Sequence, residues 1–296
     1  MSVAGLALHP FAAPNTLDDA LALLAQRAAR SEKTVLLAGG TDWFVERHVA
    51  PPETAGTLPL VVDVSRLDAL RGIALDGETL RVGGATTYLE IRKDARVAAR
   101  CPLLAAMARD VGALQIQARG TLGGNLASGS PAADGACALA ALDATLVLTS
   151  VRGARRVPLS TFYTGYRKSV LAADELIEAV EVALPPEGSP FAWRKVGTRQ
   201  AQAISKVAFA ALAVVAEGRA ARLGLGMASV APTVALLPAT RALGLSRPLS
   251  AITDADVEKT VLADVSPIDD VRSTAAYRRH VAVRLAQRFF EELRTA

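Results

Sequence analysis

Thr121-Leu122-Gly123-Gly124-Asn125-Leu126-Ala127-Ser128-Gly129-Ser130-Pro131 is the stretch on which the reading of this chain turns. Three glycines, one asparagine and three hydroxyl residues share eleven positions, and Asp134 follows. A hydrophobic core does not need that composition. Glycine lets a backbone amide approach a ligand with no Cβ in the way, and Asn, Ser and Thr add short polar groups. The stretch reads either as a cradle for an anionic or polyhydroxyl ligand or as a Gly/Ser surface turn.

Further back, Val35-Leu36-Leu37 is an apolar run of strand type that enters Ala38-Gly39-Gly40-Thr41-Asp42, and Trp43 to Val49 then reads as a helix. A strand ending in Gly-Gly and opening a helix turns free amides toward an anion, with the helix dipole adding to the attraction. No G-x-G-x-x-G follows the strand, so this is not a dinucleotide fingerprint, and no Gly-Lys-Ser/Thr closes it, so it is not a P-loop. Two Gly-Gly loops about eighty residues apart suit a large ligand held between two lobes.

As a pair, Ala38-Gly39-Gly40-Thr41-Asp42 and Thr121-Leu122-Gly123-Gly124-Asn125 through Ser130-Pro131 to Asp134 resemble the FAD motifs of the molybdenum hydroxylase family. In that family a domain or a separate chain carries FAD, as in the xanthine dehydrogenase flavin domain and the carbon monoxide dehydrogenase medium subunit. The resemblance covers nearly the whole chain. It implies an α+β fold: a two-lobed FAD-binding domain of p-cresol-methylhydroxylase type over residues 1–186, with lobes of about 1–58 and 59–186, then a small antiparallel sheet with helices over 187–296. It implies that Leu36, Leu37, Ala38, Gly39, Gly40, Thr41, Asp42 and Trp43 meet the pyrophosphate. Thr121, Gly124, Asn125, Ser130 and Asp134 form the second set of contacts, and Val111 and Ile177 complete the cofactor-binding set. Asp134 would accept hydrogen bonds from FAD; its other reading is a carboxylate at a helix N-terminus.

Trp193-Arg194-Lys195-Val196-Gly197-Thr198-Arg199-Gln200-Ala201-Gln202-Ala203-Ile204-Ser205-Lys206-Val207 is a third match. In the xanthine dehydrogenase branch a Lys here approaches the isoalloxazine, and the following loop lies over the flavin. Lys195 is the matching residue, and the resemblance makes it both a cofactor contact and the catalytic residue. A cation there stabilises the anionic reduced ring and raises its potential. Lys206 and Arg199 read as solvated surface charges. Many xanthine dehydrogenases carry an acidic pair before the Ile; Gln202-Ala203 stands here, which leaves the electron acceptor open.

The remaining elements follow in order. Asn15 or Thr16 caps a helix to about Arg30, with Leu17, Leu21 and Leu24 on its buried face. Pro51 to Pro59 is a connector. Leu60 to Val64 and Thr79 to Val82 are strands, Thr86 or Thr87 caps a helix through Arg100, and Pro102 opens another to about Val111. Gly135 to Leu142 is helical. Ala144 to Thr149, Arg155 to Val157 and Glu175 to Leu184 are strands, and Leu159 to Tyr166 resembles a short family segment. Pro185-Pro186-Glu187-Gly188 is the clearest linker. Phe191 to Val196 is a strand, and Glu217-Gly218-Arg219 joins Ala208–Ala216 to Ala220–Met227 as a hairpin. Helices follow over Thr233–Leu243, Asp254–Val265 and Ser273 to about Arg294, the last with Tyr277, Val281, Leu285 and Phe289 as its apolar face.

The 296 residues are 51% hydrophobic with a net charge of +4, which allows one large domain or two ordinary ones and a real core. The basic residues form no nucleic-acid-binding block. The N-terminus shows no secretory pattern and no apolar run is long enough to span a bilayer, so the expected location is cytoplasmic. Cys101 and Cys137 read as buried free thiols, and two cysteines are too few for an iron–sulfur cluster. His9, His48 and His280 have no metal-ligand spacing, so no metal site is expected on this chain.

The reading is a noncovalent-FAD electron-transfer subunit of a molybdenum hydroxylase. The molybdenum cofactor would sit on a large partner subunit and 2Fe-2S clusters on a small one, with NAD or another molecule as acceptor. Gly165 to Lys168 and the Lys195 loop favour a xanthine or N-heterocycle dehydrogenase; an aldehyde, carbon monoxide or aromatic acyl-CoA as substrate stays open. A self-contained FAD oxidoreductase of the same fold and a non-enzymatic nucleotide-binding protein are the rival readings.

Overall fold

In a computed structural model the chain is described over residues 9–49 and 58–295, so the readings of Met1–Pro10 and Pro51–Pro59 fall mostly outside the described residues. Among the described residues the first lobe runs β1 (Phe11–Ala12), α1 (Leu17–Ala29), β2 (Thr34–Leu37), α2 (Trp43–Val49) and β3 (Leu60–Asp63), the last strand lying just past the expected lobe limit of about residue 58. Its strands make a parallel sheet in the order β1-β3-β2, with Phe11 opposite Val61 and Leu36 opposite Val62. Thr16 starts α1 by accepting from the Asp19 amide at 3.1 Å, and Asp18 and Asp19 sit at the positive end of the helix dipole. Ala20, Leu21 and Leu24 then pack with Val62 and Val64 in one core.

The second lobe holds β4 (Ile73–Asp76), β5 (Thr79–Gly83), α3 (Tyr88–Lys93), α4 (Ala95–Arg100), α5 (Pro102–Asp110), α6 (Leu114–Gln117), α7 (Leu122–Ala127), α8 (Asp134–Ala141), β6 (Thr145–Ser150), β7 (Gly153–Pro158), α9 (Leu159–Phe162), β8 (Tyr163–Gly165), β9 (Lys168–Ser169) and β10 (Leu176–Ala183). Five strands form an antiparallel sheet in the order β4-β5-β10-β6-β7. Thr87 caps α3 in a capping box with Glu90. The single helix expected through Arg100 is two helices. Asp94 ends α3 and caps α4, its carboxylate accepting from the Arg96 and Val97 amides. The second glycine stretch is also not all loop, because Thr121 caps the short helix α7 within it.

The remaining elements are β11 (Phe191–Val196), β12 (Val207–Ala216), β13 (Arg219–Ala228), α10 (Pro238–Ser246), α11 (Asp254–Asp264) and α12 (Ala275–Thr295). The hairpin closes at Glu217 and Gly218, both left-handed with φ of 51° and 68°, which matches the strand twist. The helix expected from Thr233 starts at Pro238. The preceding segment is kept out of the helix by Met227 and Ala235, which exchange two 2.8 Å backbone hydrogen bonds, and by Leu237, which is left-handed at φ 50°. On α12 the expected apolar face drifts. A four-residue step overshoots the 3.6-residue turn, so Tyr277 is exposed while Ala282, Ala286, Phe289, Phe290 and Leu293 are buried.

β11, β12 and β13 pair in that order as an antiparallel sheet, with α8 on one face and α10 and α12 on the other. A Cβ at Gly224 would overlap the Ala141 carbonyl oxygen, and one at Gly226 the Cys137 carbonyl oxygen, so α8 lies directly on β13. Every residue of α8 is buried, as a helix packed from all sides must be. Cys101 and Cys137 are buried free thiols, and burial pushes the Cys101 thiol up to about 11. No helix among the described residues is long and apolar enough to cross a membrane.

Candidate functional site

The two lobes enclose a cleft of about 350 Å³, within the usual range for cofactor and ligand sites. Leu36, Leu37, Ala38, Gly39, Gly40, Thr41, Asp42 and Trp43 form one side. Val111, Thr121, Gly124, Asn125 and Ile177 are on the other, with Gly84, Tyr88, Ile116 and Ser128. Ser130, Asp134 and Lys195 are not part of its lining.

The two glycine stretches play different parts. Among the described residues, the amides of Ala38, Gly39, Gly40, Thr41 and Asp42 donate to no protein acceptor. Five consecutive free amides on a cleft wall suit an anion. Gly40 makes the turn at φ +74°, and Gly39 lets this loop lie against the backbone of Arg119 and Gly120. In the second stretch the amides are already used. Leu122 donates to Thr86 O, Gly123 to Gly84 O, Gly124 to Thr121 Oγ1 and Asn125 to Thr121 O. A Cβ at Gly123 would press into the Gly84 backbone, whereas one at Gly124 would meet only Thr121 Oγ1, at 2.9 Å, with open cleft beyond. The second stretch therefore supplies shape more than donors.

Two side chains add donors. Asn125 accepts from the Ala136 amide through Oδ1 at 3.2 Å, which leaves its NH2 without a protein partner among the described residues. Tyr88 is 2% exposed and its hydroxyl is buried without a hydrogen-bond partner. Burial pushes that hydroxyl well above the ordinary tyrosine range, with Asp134 and Asp42 adding to the effect, so it is a neutral donor. An orphaned buried hydroxyl beside a cleft marks a place where a ligand atom completes the bonding.

The mouth is charged. Burial raises the Asp42 pKa and nearby Glu46 adds to it, against the pull of Arg167 and the Ser128 hydroxyl. Glu46 and Arg167 form an ion pair at 2.7 Å. Lys195 lies apart from the cleft lining. Its Nζ donates to Asp134 Oδ2 at 2.5 Å and to the Asp110 carbonyl at 2.8 Å, while Ser205 Oγ donates to Asp134 Oδ1 at 2.8 Å. Both carboxylate oxygens of Asp134 are thus taken. Burial raises the Asp134 pKa and Lys195 opposes the rise. The loop after Lys195 returns to the cleft wall, where the Gln202 amide donates to the Gly112 carbonyl beside Val111.

Free amides, an orphaned hydroxyl, an open Gly124 face and apolar walls fit a cofactor with a diphosphate, hydroxyls and a flat ring. The sequence reading named none of Gly84, Tyr88, Ile116, Ser128 and Arg167 as a cofactor contact. The Gly83-Gly84 pair was a signal for the first, Ser128 stood inside the Thr121–Pro131 stretch and Arg167 inside Gly165–Lys168; Tyr88 and Ile116 carried none, because folding alone brings them to the cleft.

Family models cover both parts of the chain. That of the FAD binding domain in molybdopterin dehydrogenase matches residues 6–185, and that of the CO dehydrogenase flavoprotein C-terminal domain matches 192–293. The chain is similar to the xanthine dehydrogenase FAD-binding subunit of Escherichia coli O157:H7, at 32% identity over 280 residues, 94% of this chain and 93% of that one. It is 35% identical over 203 residues to the nicotinate dehydrogenase FAD-subunit of Eubacterium barkeri, across 67% of this chain and 66% of that one. Among solved structures, carbon monoxide dehydrogenase from Hydrogenophaga pseudoflava matches with a TM-score of 0.85 and 27% identity over 95% of each chain. With the flavin-type cleft in its first 185 residues and the flavoprotein C-terminal domain after it, this chain belongs to the family of FAD-binding subunits of molybdopterin dehydrogenases.

Proposed function

We propose that this chain is the electron-transfer subunit of a multi-subunit molybdenum-containing dehydrogenase and holds FAD noncovalently in the cleft between β2 and α7. The observation that carries the reading is the row of free amides from Ala38 to Asp42 in the loop that lines the same cleft as Gly124. Bound FAD supplies the redox chemistry, taking electrons up and passing them on. The chain's own residues do the rest. The free amides hold the diphosphate, and Tyr88 and Asn125 offer donors to polar atoms. Val111, Ile116, Leu171, Leu176 and Ile177 exclude water. Residues 1–186 form the cofactor-binding part and 187–296 the second part in this reading.

Lys195 supplies a cation toward the flavin ring. This role is supported by the Lys195 position at the end of β11, ahead of the loop that touches the cleft wall at Gly112. Ser130 and Asp134 then act behind the site, Asp134 by fixing Lys195 and Ser205. The substrate proposed is xanthine or another N-heterocycle, which the similarity to xanthine and nicotinate dehydrogenase subunits supports. Molybdenum cofactor and 2Fe-2S clusters belong to partner chains, and NAD is the first acceptor to test.

No His or Cys is among the described residues lining the cleft, so flavin attachment is expected to be noncovalent. Acid precipitation should leave all yellow colour in the supernatant, and a coloured pellet would reject this. Electrons must arrive from outside the chain. In anaerobic stopped-flow at the flavin absorbance, xanthine should not reduce the isolated chain, and adding the molybdenum and iron–sulfur chains should start reduction. NADH should reduce the lone chain if NAD is the acceptor. Fast bleaching of the lone chain by xanthine would instead support a self-contained oxidoreductase.

A further inference from the structure

Arg167 is the single Lys or Arg among the described residues that line the cleft, and it sits at the mouth beside two carboxylates, Asp42 and Glu46. An obvious role for a lone cation there is to neutralise a phosphate. The geometry points elsewhere. Arg167 Nη1 already meets Glu46 Oε1 at 2.7 Å. Turning it inward would leave Glu46 and Asp42 uncompensated next to a diphosphate, and the free amides provide an anion site without a cation.

The two partners also come from different lobes. Glu46 is on α2 of the first. Arg167 is on the β8–β9 turn of the second, fixed in a left-handed conformation at φ +53° with the α-carbon of Gly129 packed closely against it. Among the described side chains of α2, Phe44 and Val45 are exposed, while the Trp43 ring packs edge-on against His9 and Phe44.

We infer that Glu46 and Arg167 form a clasp across the cleft mouth, which holds α2 against the second lobe and slows cofactor release, and that Arg167 serves Glu46 rather than the phosphates. As far as it concerns the cofactor, this rests on the FAD reading above. Glu46→Gln and Arg167→Gln should each raise the FAD dissociation rate about two- to five-fold, the range of an exposed ion pair. The double variant should be no faster than the faster single, since both remove one interaction. Raising the salt to about 0.5 M should bring the unaltered chain toward the variants, because both side chains are about half exposed, at 44% and 50%.

The sign of the Glu46→Gln effect decides between the two roles. If Arg167 served the phosphates, freeing it from Glu46 would slow FAD release, and that result, or additive effects in the double variant, overturns the clasp. Hydrogen exchange of the α2 amides in the FAD-free chain gives a second readout. Both single variants should speed it, and unchanged exchange overturns the clasp as well. An unaltered chain that takes up no FAD would sink the cofactor reading instead, leaving the exchange measurement to decide the clasp.

Discussion

Gly124→Val should give a chain that folds, purifies and binds flavin measurably more weakly. Gly124 is exposed to the cleft, its amide is satisfied by Thr121 Oγ1 at 3.2 Å, and a Cβ there is accommodated by a small shift of that hydroxyl with no backbone in the way. Its Cβ meets only that hydroxyl, and the valine methyls then occupy the space a cofactor needs. Crowding of this kind costs about 1–3 kcal/mol, so FAD binding should weaken roughly five- to 150-fold, at about 1.4 kcal/mol per tenfold. Gly124→Ala should fall between the two, and flavin fluorescence titration reads all three. Full occupancy in the valine variant would show that α7 does not touch the cofactor. The neighbour is different in kind: a side chain at Gly123 presses on the Gly84 backbone and is a folding lesion.

That contrast explains what the sequence could and could not reveal. Two Gly-Gly pairs flag close approach, but not to what. Gly39 and Gly123 serve contacts of chain with chain, and only folding shows that Gly124 faces the ligand side. Local signals were legible where the chemistry is local: the Thr16 cap, the Glu217-Gly218 turn, the apolar run of β2. The Asp94 break was not, because one Asp inside a helical pattern costs little until its carboxylate caps the next helix. Neither were Tyr88, whose hydroxyl is buried without a partner, and the contact of Arg167 with Glu46, 121 residues away in the chain. The Asp134–Lys195 pair shows the limit most clearly. Both residues were read as cofactor contacts, and nothing in the sequence signalled that in the folded chain they also contact each other across 61 residues' separation.

Lys195→Ala should therefore act on stability first. The side chains of Lys195 and Asp134 are each 10% exposed. Removing the cation strands a buried carboxylate that retains only Ser205 as donor. Breaking such a pair costs about 3–5 kcal/mol, whereas replacing both members with uncharged residues of similar size costs far less. Urea unfolding should show that loss for Lys195→Ala and recovery of most of it in Asp134→Asn with Lys195→Met. The pH dependence has a defined sign. Without its cation, buried Asp134 has a folded-state pKa above its unfolded value, so the folded chain binds the proton more tightly. The deficit is then greatest above the folded-state pKa and shrinks as pH falls through it. A loss below about 1 kcal/mol, typical of surface pairs, would mean that Lys195 is solvated and its neighbours rearrange.

The close seating of α8 on β13 bears on how such subunits can be recombined. Gly224 and Gly226 admit the carbonyls of Ala141 and Cys137, and α8 opens at Asp134, next to Asn125 and Tyr88 on the cleft side. A graft that joins the first 186 residues of this chain to the second half of a relative must bring glycine to both strand positions, or the helix is levered toward the cleft. The seam, not the Pro-rich linker that looks like a natural cutting point, is where parts from two relatives have to agree.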